Sequence, residues 1–370
     1  MPFPALDKDQ KRIIHILRRS GPLSRSALAA GLEISGAALT RLSRDLLALG
    51  IVEEITDGEA HGRGRPAVPL HLARKGGYAV GATAHKGLIE ITLVDFTGAT
   101  IASHHEAVAP MAPKAFARRV RQLTHQLVER HDLLGRRMLG IGIAVPGPAT
   151  SLEGDRWSVV DVLPGWRDAP LREIFGAEFG WPLWIENDAN AAAIAEFYLG
   201  GLIREFSTAV VLLLGFGIGA GTIVDGRLMR GQFGAAGEIG ALFPGDLPRP
   251  SPLDLLDNLR AAGCELASVA DIDPEAADQA PTIRCWLDRA ASQLEGLCTT
   301  AFAWIDPGAI VLAGTVPLPI LQGLADRLDR AEPIKAACHG RSSIRVSRLR
   351  GSPITLGAAL LPIHALSALD

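Results

Sequence analysis

The sequence predicts an α/β protein headed by a winged helix-turn-helix, and three observations carry that expectation. Three separately capped helical stretches fill the first fifty residues. Two short strands then bracket His61-Gly62-Arg63-Gly64-Arg65-Pro66, a glycine-rich run of the kind that forms a hairpin tip. From Gly76 onward, short apolar strands alternate with longer amphipathic stretches, the pattern of a sheet covered by helices.

The first helix opens at Asp7, carries Ile13, Ile14 and Leu17 on one side, and stops before Gly21-Pro22, a pair that does not continue a helix. Ser24 caps a short second helix through Ala30, where Gly31 lets the chain turn, and Ser35 caps a third that runs to about Leu49. In the third helix Leu39, Leu42, Leu46 and Leu49 share a core face, which leaves Ala37, Thr40, Arg41 and Arg44 outside. Small side chains beside the Ser35 cap allow close approach to a duplex, and arginines reach phosphates or guanine edges, so this face suits a DNA major groove. Residues 51–55 and 68–72 read as the strands of a wing, whose Arg63 and Arg65 suit a narrow minor groove. A helical bundle with a solvated basic face is the competing reading of the same residues.

Charge favours the first reading. Residues 1–75 hold 12 Lys+Arg against 8 Asp+Glu, a balance of +4, within a chain whose total is −3. An anionic partner is therefore expected for the N-terminal part alone. With 48% hydrophobic and 21% charged residues, disorder and fibrous repeats are excluded. Cys264, Cys285, Cys298 and Cys338 are widely spaced with no Cys-x-x-Cys pair, so buried thiols are expected rather than disulfides or a zinc centre. The N-terminus lacks the pattern of a signal peptide. Stretch 208–224 is almost uncharged, but four glycines break it, so it reads as two strands around a turn and not as a membrane helix. A cytoplasmic chain with no membrane attachment follows as an expectation.

The second part begins with strands at 78–82, 88–94 and 100–103 and a helical stretch at 113–131. A buried strand at 139–145 ends in Pro146-Gly147-Pro148. Ligand sites of α/β sheets lie at such strand ends, which makes Gly147 a candidate site residue. Further on come Glu186-Asn187-Asp188-Ala189-Asn190, an alanine-rich helix to about Leu199, the glycine-rich hairpin, and Gly234-Ala235-Ala236-Gly237-Glu238-Ile239-Gly240. The domain division expected is 1–75 for the head and 76–370 for the remainder.

Gly140-Ile141-Gly142-Ile143-Ala144-Val145-Pro146-Gly147-Pro148, Leu163-Pro164-Gly165-Trp166, Glu186-Asn187-Asp188-Ala189-Asn190-Ala191-Ala192, and Gly231 with the 234–240 block resemble, in order and spacing, the ROK family of repressors, open reading frames and kinases. The resemblance covers nearly the whole chain, and the winged head places it in the transcriptional-regulator branch. It implies an actin-like, hexokinase-like (ribonuclease H-like) domain of two lobes around a cleft.

Family kinases need a polyphosphate cradle as well as a sugar pocket, because positioning and charge stabilisation supply most of phosphoryl transfer. Where the resemblance implies Asp-x-Gly-Gly-Thr after the first strand, this chain has Thr83-Ala84-His85-Lys86-Gly87, and the second phosphate loop carries the bulky Phe216. Lys86 alone, without a nest of amides, is a weak cradle. The sugar half is better kept. Asn187, Asp188 and Glu238 offer amide and carboxylate groups for paired hydroxyls. Asp188 matches the kinase base; without a cradle its role reduces to hydroxyl recognition, with a helix N-terminal carboxylate as the plain alternative. The family's zinc-binding His and cysteine cluster are replaced from Ala241 onward, so no metal is expected. Ser251-Pro252-Leu253-Asp254 takes the place of Gly-Cys-Leu-Glu, which makes Asp254 a shorter substitute for a sugar-binding glutamate. Trp166 reads as packing at the cleft rim.

The resulting expectation is a sugar-responsive repressor that binds operator DNA through Ser35, Ala37, Thr40, Arg41, Arg44, Arg63 and Arg65. It binds a small sugar or polyol through Gly147, Asn187, Asp188, Glu238 and Asp254. No catalytic residue, cofactor or metal is expected, and the assembly expected is a homodimer or dimer of dimers. Two other readings stay open at this point: a sugar kinase that kept a DNA-binding head, and a regulator controlled by a protein partner.

Overall fold

The computed structural model describes residues 5–55, 68–85, 87–151, 154, 156–159, 163–215, 217–243, 247–341 and 343–367. The chain opens with α1 (Lys8–Ser20), α2 (Arg25–Leu32) and α3 (Gly36–Ala48), followed by β1 (Val52–Glu54) and β2 (Leu70–Leu72). All three helices start at the caps read from the sequence. Asp7 accepts from the Gln10 amide at 2.8 Å while the Gln10 side chain accepts from the Asp7 amide at 3.0 Å, and Ser24 and Ser35 accept from Ala27 and Ala38 at 3.2 Å each. Each cap satisfies an amide that the first helical turn leaves unpaired. The turn after α2 differs from expectation. It falls on Glu33, which takes the left-handed conformation at φ 57°, while Gly31 stays inside the helix. The Glu33 amide reaches back to the last carbonyls of the helix and closes it there. β1 and β2 pair antiparallel, and Leu23 adds a bridge to Leu70, so a small ladder backs the three helices.

The remainder builds two sheets on one plan. The first contains β3 (Tyr78–His85), β4 (Leu88–Asp95), β5 (Thr100–Ala107), then, after α4 (Pro113–Arg130), β6 (Met138–Val145) and, after α5 (Leu171–Phe179), β7 (Leu183–Asn187). Its order is β5-β4-β3-β6-β7. Next come α6 (Asp188–Tyr198) and α7 (Leu202–Glu205). The second sheet contains β8 (Ala209–Leu214), β9 (Ile218–Val224), β10 (Arg227–Leu228), then, after α8 (Pro252–Ala261) and α9 (Ala280–Ile305), β11 (Ala309–Gly314), and, after α10 (Leu318–Arg330) and α11 (Glu332–Cys338), β12 (Ser343–Val346). Its order, β10-β9-β8-β11-β12, repeats the first: an antiparallel meander of three strands, then two parallel strands beside its first member. Two such lobes are the actin-like, hexokinase-like architecture. The uncharged stretch is indeed two strands around a turn, and among the described residues no helix is long and apolar enough to cross a membrane.

The chain closes with α12 (Pro353–Ser367), which is buried on every side, as an all-round apolar helix must be. It crosses the first sheet while α6 crosses the second, and the two helices pack on each other. Glycines make this layer thin. A Cβ at Gly142 would lie 1.9 Å from the Ala358 carbonyl oxygen, and one at Gly357 would lie 1.7 Å from that of Ala191. Backbones therefore touch where side chains would hold them apart. Trp166 is fully buried, edge-on to Phe116 and Phe175, with its indole N–H donating to the Met111 carbonyl at 2.9 Å. Three cysteines are buried as expected, but Cys285 is exposed, because α9 turns that position away from its packed face.

Candidate functional site

In the head, Ser35, Ala37, Thr40, Arg41 and Arg44 are all exposed on one side of α3, while Leu39, Leu42 and Leu46 are buried on the other. Thr40 returns its hydroxyl to the Gly36 carbonyl at 2.8 Å, which keeps the helix start compact. Arg41 and Arg44 make no hydrogen bond or ion pair among the described residues, so their guanidinium groups are available to a partner. Arg63 and Arg65 lie outside the described residues, as do Lys86 and Phe216.

Between the lobes lies a cleft of about 330 Å³ lined by Gly147, Asn187, Asp188, Glu238, Arg249 and the glycine hairpin between β8 and β9. Four of the five ligand candidates thus meet in one place. Each is held for a local reason. Asn187 ends β7 and caps α6: its Oδ1 accepts from the amides of Ala189 at 2.8 Å and Asn190 at 3.2 Å. That oxygen is spent on the helix, and its Nδ2 donates to the Gly147 carbonyl at 3.2 Å and to Glu238 Oε1 at 3.4 Å. The expectation that Asn187 offers its whole amide to a ligand is therefore corrected. Only the two Nδ2 bonds, to Gly147 and to Glu238, can be exchanged without uncapping α6. Behind it, the buried Glu186 accepts from the Asn187 amide and Asn190 Nδ2 at 3.0 Å each and from Arg230 Nε at 2.7 Å, which fixes the start of α6.

Asp188 is the first residue of α6, with Oδ1 accepting from the Ala189 amide at 2.8 Å. Burial pushes its carboxyl up to about 6, against the lowering effect of that amide and of His85 nearby. Glu238 is also raised, by burial first and by Asp188 second. Two carboxyl groups in one cleft resist joint ionisation. A polyhydroxy ligand relieves this by donating hydroxyls to both. Gly147 contributes its backbone: at φ 123°, a Cβ there would lie 2.1 Å from the Ser158 carbonyl oxygen, so only glycine lets the chain pass this close to Ser158 at the cleft wall.

Asp254 is the exception. It sits in the first turn of α8, where Oδ2 accepts from Trp286 Nε1 at 2.7 Å and from Arg289 Nη2, and Oδ1 accepts from Asn258 Nδ2 at 3.1 Å. Its carboxylate ties α8 to α9 and is absent from the cleft lining; the one-carbon shortening and the aim at Arg289 remove it from the ligand set. The cation that sequence reasoning missed is Arg249, in a proline-rich stretch with no helical or strand pattern to signal which way it points.

The kinase half of the cleft has lost its acid. Thr83, where the resemblance implies aspartate, is fully buried in β3 and donates its hydroxyl to the Ala144 carbonyl at 3.1 Å. That oxygen serves the sheet and is not offered to the cleft. Among the described residues, no group of three or more His, Cys, Asp or Glu could hold a metal ion.

Residues 78–252 match the model of the ROK family. The chain is 29% identical to the protein y4fQ of Sinorhizobium fredii over 97% of this chain and 92% of that one. It is 28% identical to the xylose repressor of Bacillus spizizenii over 63% of this chain, and that match spans only 59% of the repressor's length. Among solved structures it resembles a ROK family transcriptional regulator described as a homologue of the E. coli Mlc protein, at a TM-score of 0.73 and 22% identity over 97% of this chain and 96% of that one. It also resembles a ROK hexokinase from Thermus thermophilus, at a TM-score of 0.58 and 24% identity over 76% of this chain and 97% of that one. The chain thus matches the ROK family model over residues 78–252, and along nearly its whole length its fold is that of a ROK transcriptional regulator.

Proposed function

We propose that this protein is a sugar-responsive transcriptional repressor, in which residues 1–75 bind operator DNA and residues 76–370 form a sensor that does not catalyse. The observation that carries the reading is the outward face of α3, where Ala37, Thr40, Arg41 and Arg44 stand exposed, with both arginines unpaired among the described residues. A protein that only phosphorylated sugars would have no use for it. The Gly147, Asn187, Asp188 and Glu238 cleft supplies the effector site, for a small sugar or polyol whose hydroxyls bridge the two carboxyl groups. D-xylose is the first candidate, from the name of the Bacillus relative. Two heads are needed to read a two-fold operator, so the working unit is a homodimer or a dimer of dimers.

The test selects a binding site for the purified protein from a random duplex pool, then measures affinity with and without D-xylose, D-glucose, N-acetylglucosamine and xylitol. Site-specific binding that one sugar changes supports the reading; failure to select any sequence overturns it. One observation favours a second reading: the Asp188 carboxyl, raised to about 6, has the basicity suited to a proton acceptor in phosphoryl transfer. ATP-dependent phosphorylation of any of these sugars, abolished in Asp188→Asn, would establish a kinase instead.

A further inference from the structure

Helix α1 belongs to the head, yet its inner side touches both lobes of the sensor. Arg18 donates from Nη1 to the Thr97 carbonyl at 3.0 Å and from Nη2 to the Phe96 carbonyl at 3.1 Å, both in the turn after β4 of the first lobe. That turn is itself rigid: Asp95 Oδ1 accepts from the Thr97 hydroxyl at 2.5 Å and from the amides of Thr97 and Ala99 at 2.9 and 3.1 Å. One turn earlier on α1, His15 faces the second lobe, where a Cβ on Gly226 would lie 3.8 Å from its Cε1. The cleft lies between these same lobes. Any change in their separation must therefore be taken up at the seat of α1.

The Arg18 guanidinium is held between two rings, 5.7 Å from the centroid of Phe96 and 5.3 Å from that of Tyr198. Tyr198 is the last residue of α6, and Asp188 in the cleft is the first. The Tyr198 hydroxyl is 2.8 Å from His364 Nδ1 on α12. Close backbone packing leaves α6 no slack to absorb a displacement by bending: a Cβ at Gly221 would lie 2.5 Å from the Ala189 carbonyl oxygen, beside the Gly357 contact described above. Packed interfaces of this kind move as bodies between discrete arrangements. A single stiff helix thus has the effector cleft at one end and the head at the other.

We propose that the stacked pair Arg18 and Tyr198 is the joint through which the sugar cleft and the DNA-binding head are coupled. The proposal deepens the repressor reading and rests on it. Arg18 is a positioning residue: it touches neither sugar nor DNA and acts by fixing where α1 sits on α6 and on the turn after β4. Sugar binding at Asp188 and Glu238 shifts α6 and the second lobe, the Tyr198 ring moves under the guanidinium, and α1 reseats with the rest of the head.

Hydrogen exchange on the full-length chain tests this by reading both ends of α6 at once. The probe is whichever of D-xylose, D-glucose, N-acetylglucosamine and xylitol most slows exchange at residues 186–190. In the native protein that sugar is expected to change exchange rates across residues 8–20 by about fivefold or more, the size of an ordinary allosteric coupling. Tyr198→Leu, which removes the ring, and Arg18→Lys, which keeps the charge but not the paired bonds and stacking, are expected to retain cleft protection while the change at 8–20 falls below about twofold. Native exchange in β8 and β11 identifies the folded variants, and Arg18→Lys decides if Tyr198→Leu does not fold. Arg74→Ala, which removes a part-buried bond from the segment before β3 to Asp95 Oδ2 and leaves the Oδ1 bonds of the turn in place, should transmit like the native chain. Variants that bind sugar and still pass the full change to residues 8–20 would overturn the joint while leaving the sugar reading intact. Lack of cleft protection by every probe would remove the sugar reading, and the joint with it.

Discussion

The Asn187 side-chain amide donates to Glu238 Oε1 at 3.4 Å, and this bond crosses from the end of the first sheet to a loop strapped on the second. The strap is the Ala220 amide, which donates to the Gly237 carbonyl at 2.9 Å. Asn187 thereby does two jobs, capping α6 with its oxygen and tying the lobes with its nitrogen. Asn187→Ala is expected to lower stability by about 1 kcal/mol through the lost cap and to loosen the cleft. Asn187→Asp restores the cap but sets a second carboxylate against Glu238, so in a urea titration it should recover stability and not sugar affinity.

Sugar affinity should depend on pH through Asp188. Its carboxyl accepts hydroxyls best when ionised, and with a pKa raised to about 6 it is mostly protonated at pH 5 and mostly ionised at pH 7. Affinity is therefore expected to rise about tenfold over that interval. Asp188→Asn should bind more weakly and lose most of the slope. Calorimetric titration at the two pH values checks both, and a slope that survives the substitution would assign the titration to Glu238.

The exposed arginines of α3 should separate base reading from phosphate binding. Arg41→Ala is expected to cost about 1–3 kcal/mol of site-specific affinity and less on unrelated sequences. Arg41 has no partner among the described residues, so the change in folding stability should stay within about 0.5 kcal/mol. Arg63→Ala and Arg65→Ala are expected to lower the slope of binding against log salt by about one each. Equal losses on all sequences for Arg41→Ala would show that it contacts phosphate only.

Glu196 provides a pH signature of the fold itself. It is 2% exposed on α6, its Oε1 has no partner among the described residues, and burial raises its carboxyl to about 7. A carboxyl whose pKa is raised in the folded chain holds its proton where the unfolded chain has released it. Its contribution to stability is full below the ordinary value of 4.5 and is lost as pH rises through about 7. Glu196→Gln should therefore be more stable than the native chain at pH 8, by about 2–3 kcal/mol, and nearly equal to it at pH 4. A gain that does not grow with pH would show that Glu196 is ionised in the folded state.

Most of the architecture was legible because the signals are local. Asp7, Ser24 and Ser35 cap helices through bonds to amides three residues along the chain, and such bonds need no tertiary fold. The misplaced turn after α2 shows the limit: a glycine permits a turn but does not compel one, and Glu33 could take the left-handed position because its amide closed the helix.

The sequence by itself determined the helix starts of the head, the alternation of strands and helices after it, and the residue types in the cleft, and through its resemblance to the ROK family it implied the two lobes. Only the tertiary structure decided what those residues are free to do. Asp254 and Arg289 are 35 residues apart, and it is the packing of α8 on α9 that aims one at the other and removes Asp254 from the cleft. Arg249 enters the cleft lining with no pattern to announce it. Arg18 reads in the sequence as one more basic residue near a helix end, yet it closes on carbonyls 78 and 79 residues away. Backbone caps are set by neighbours along the chain, whereas the partner of a long side chain is whatever the fold brings within reach.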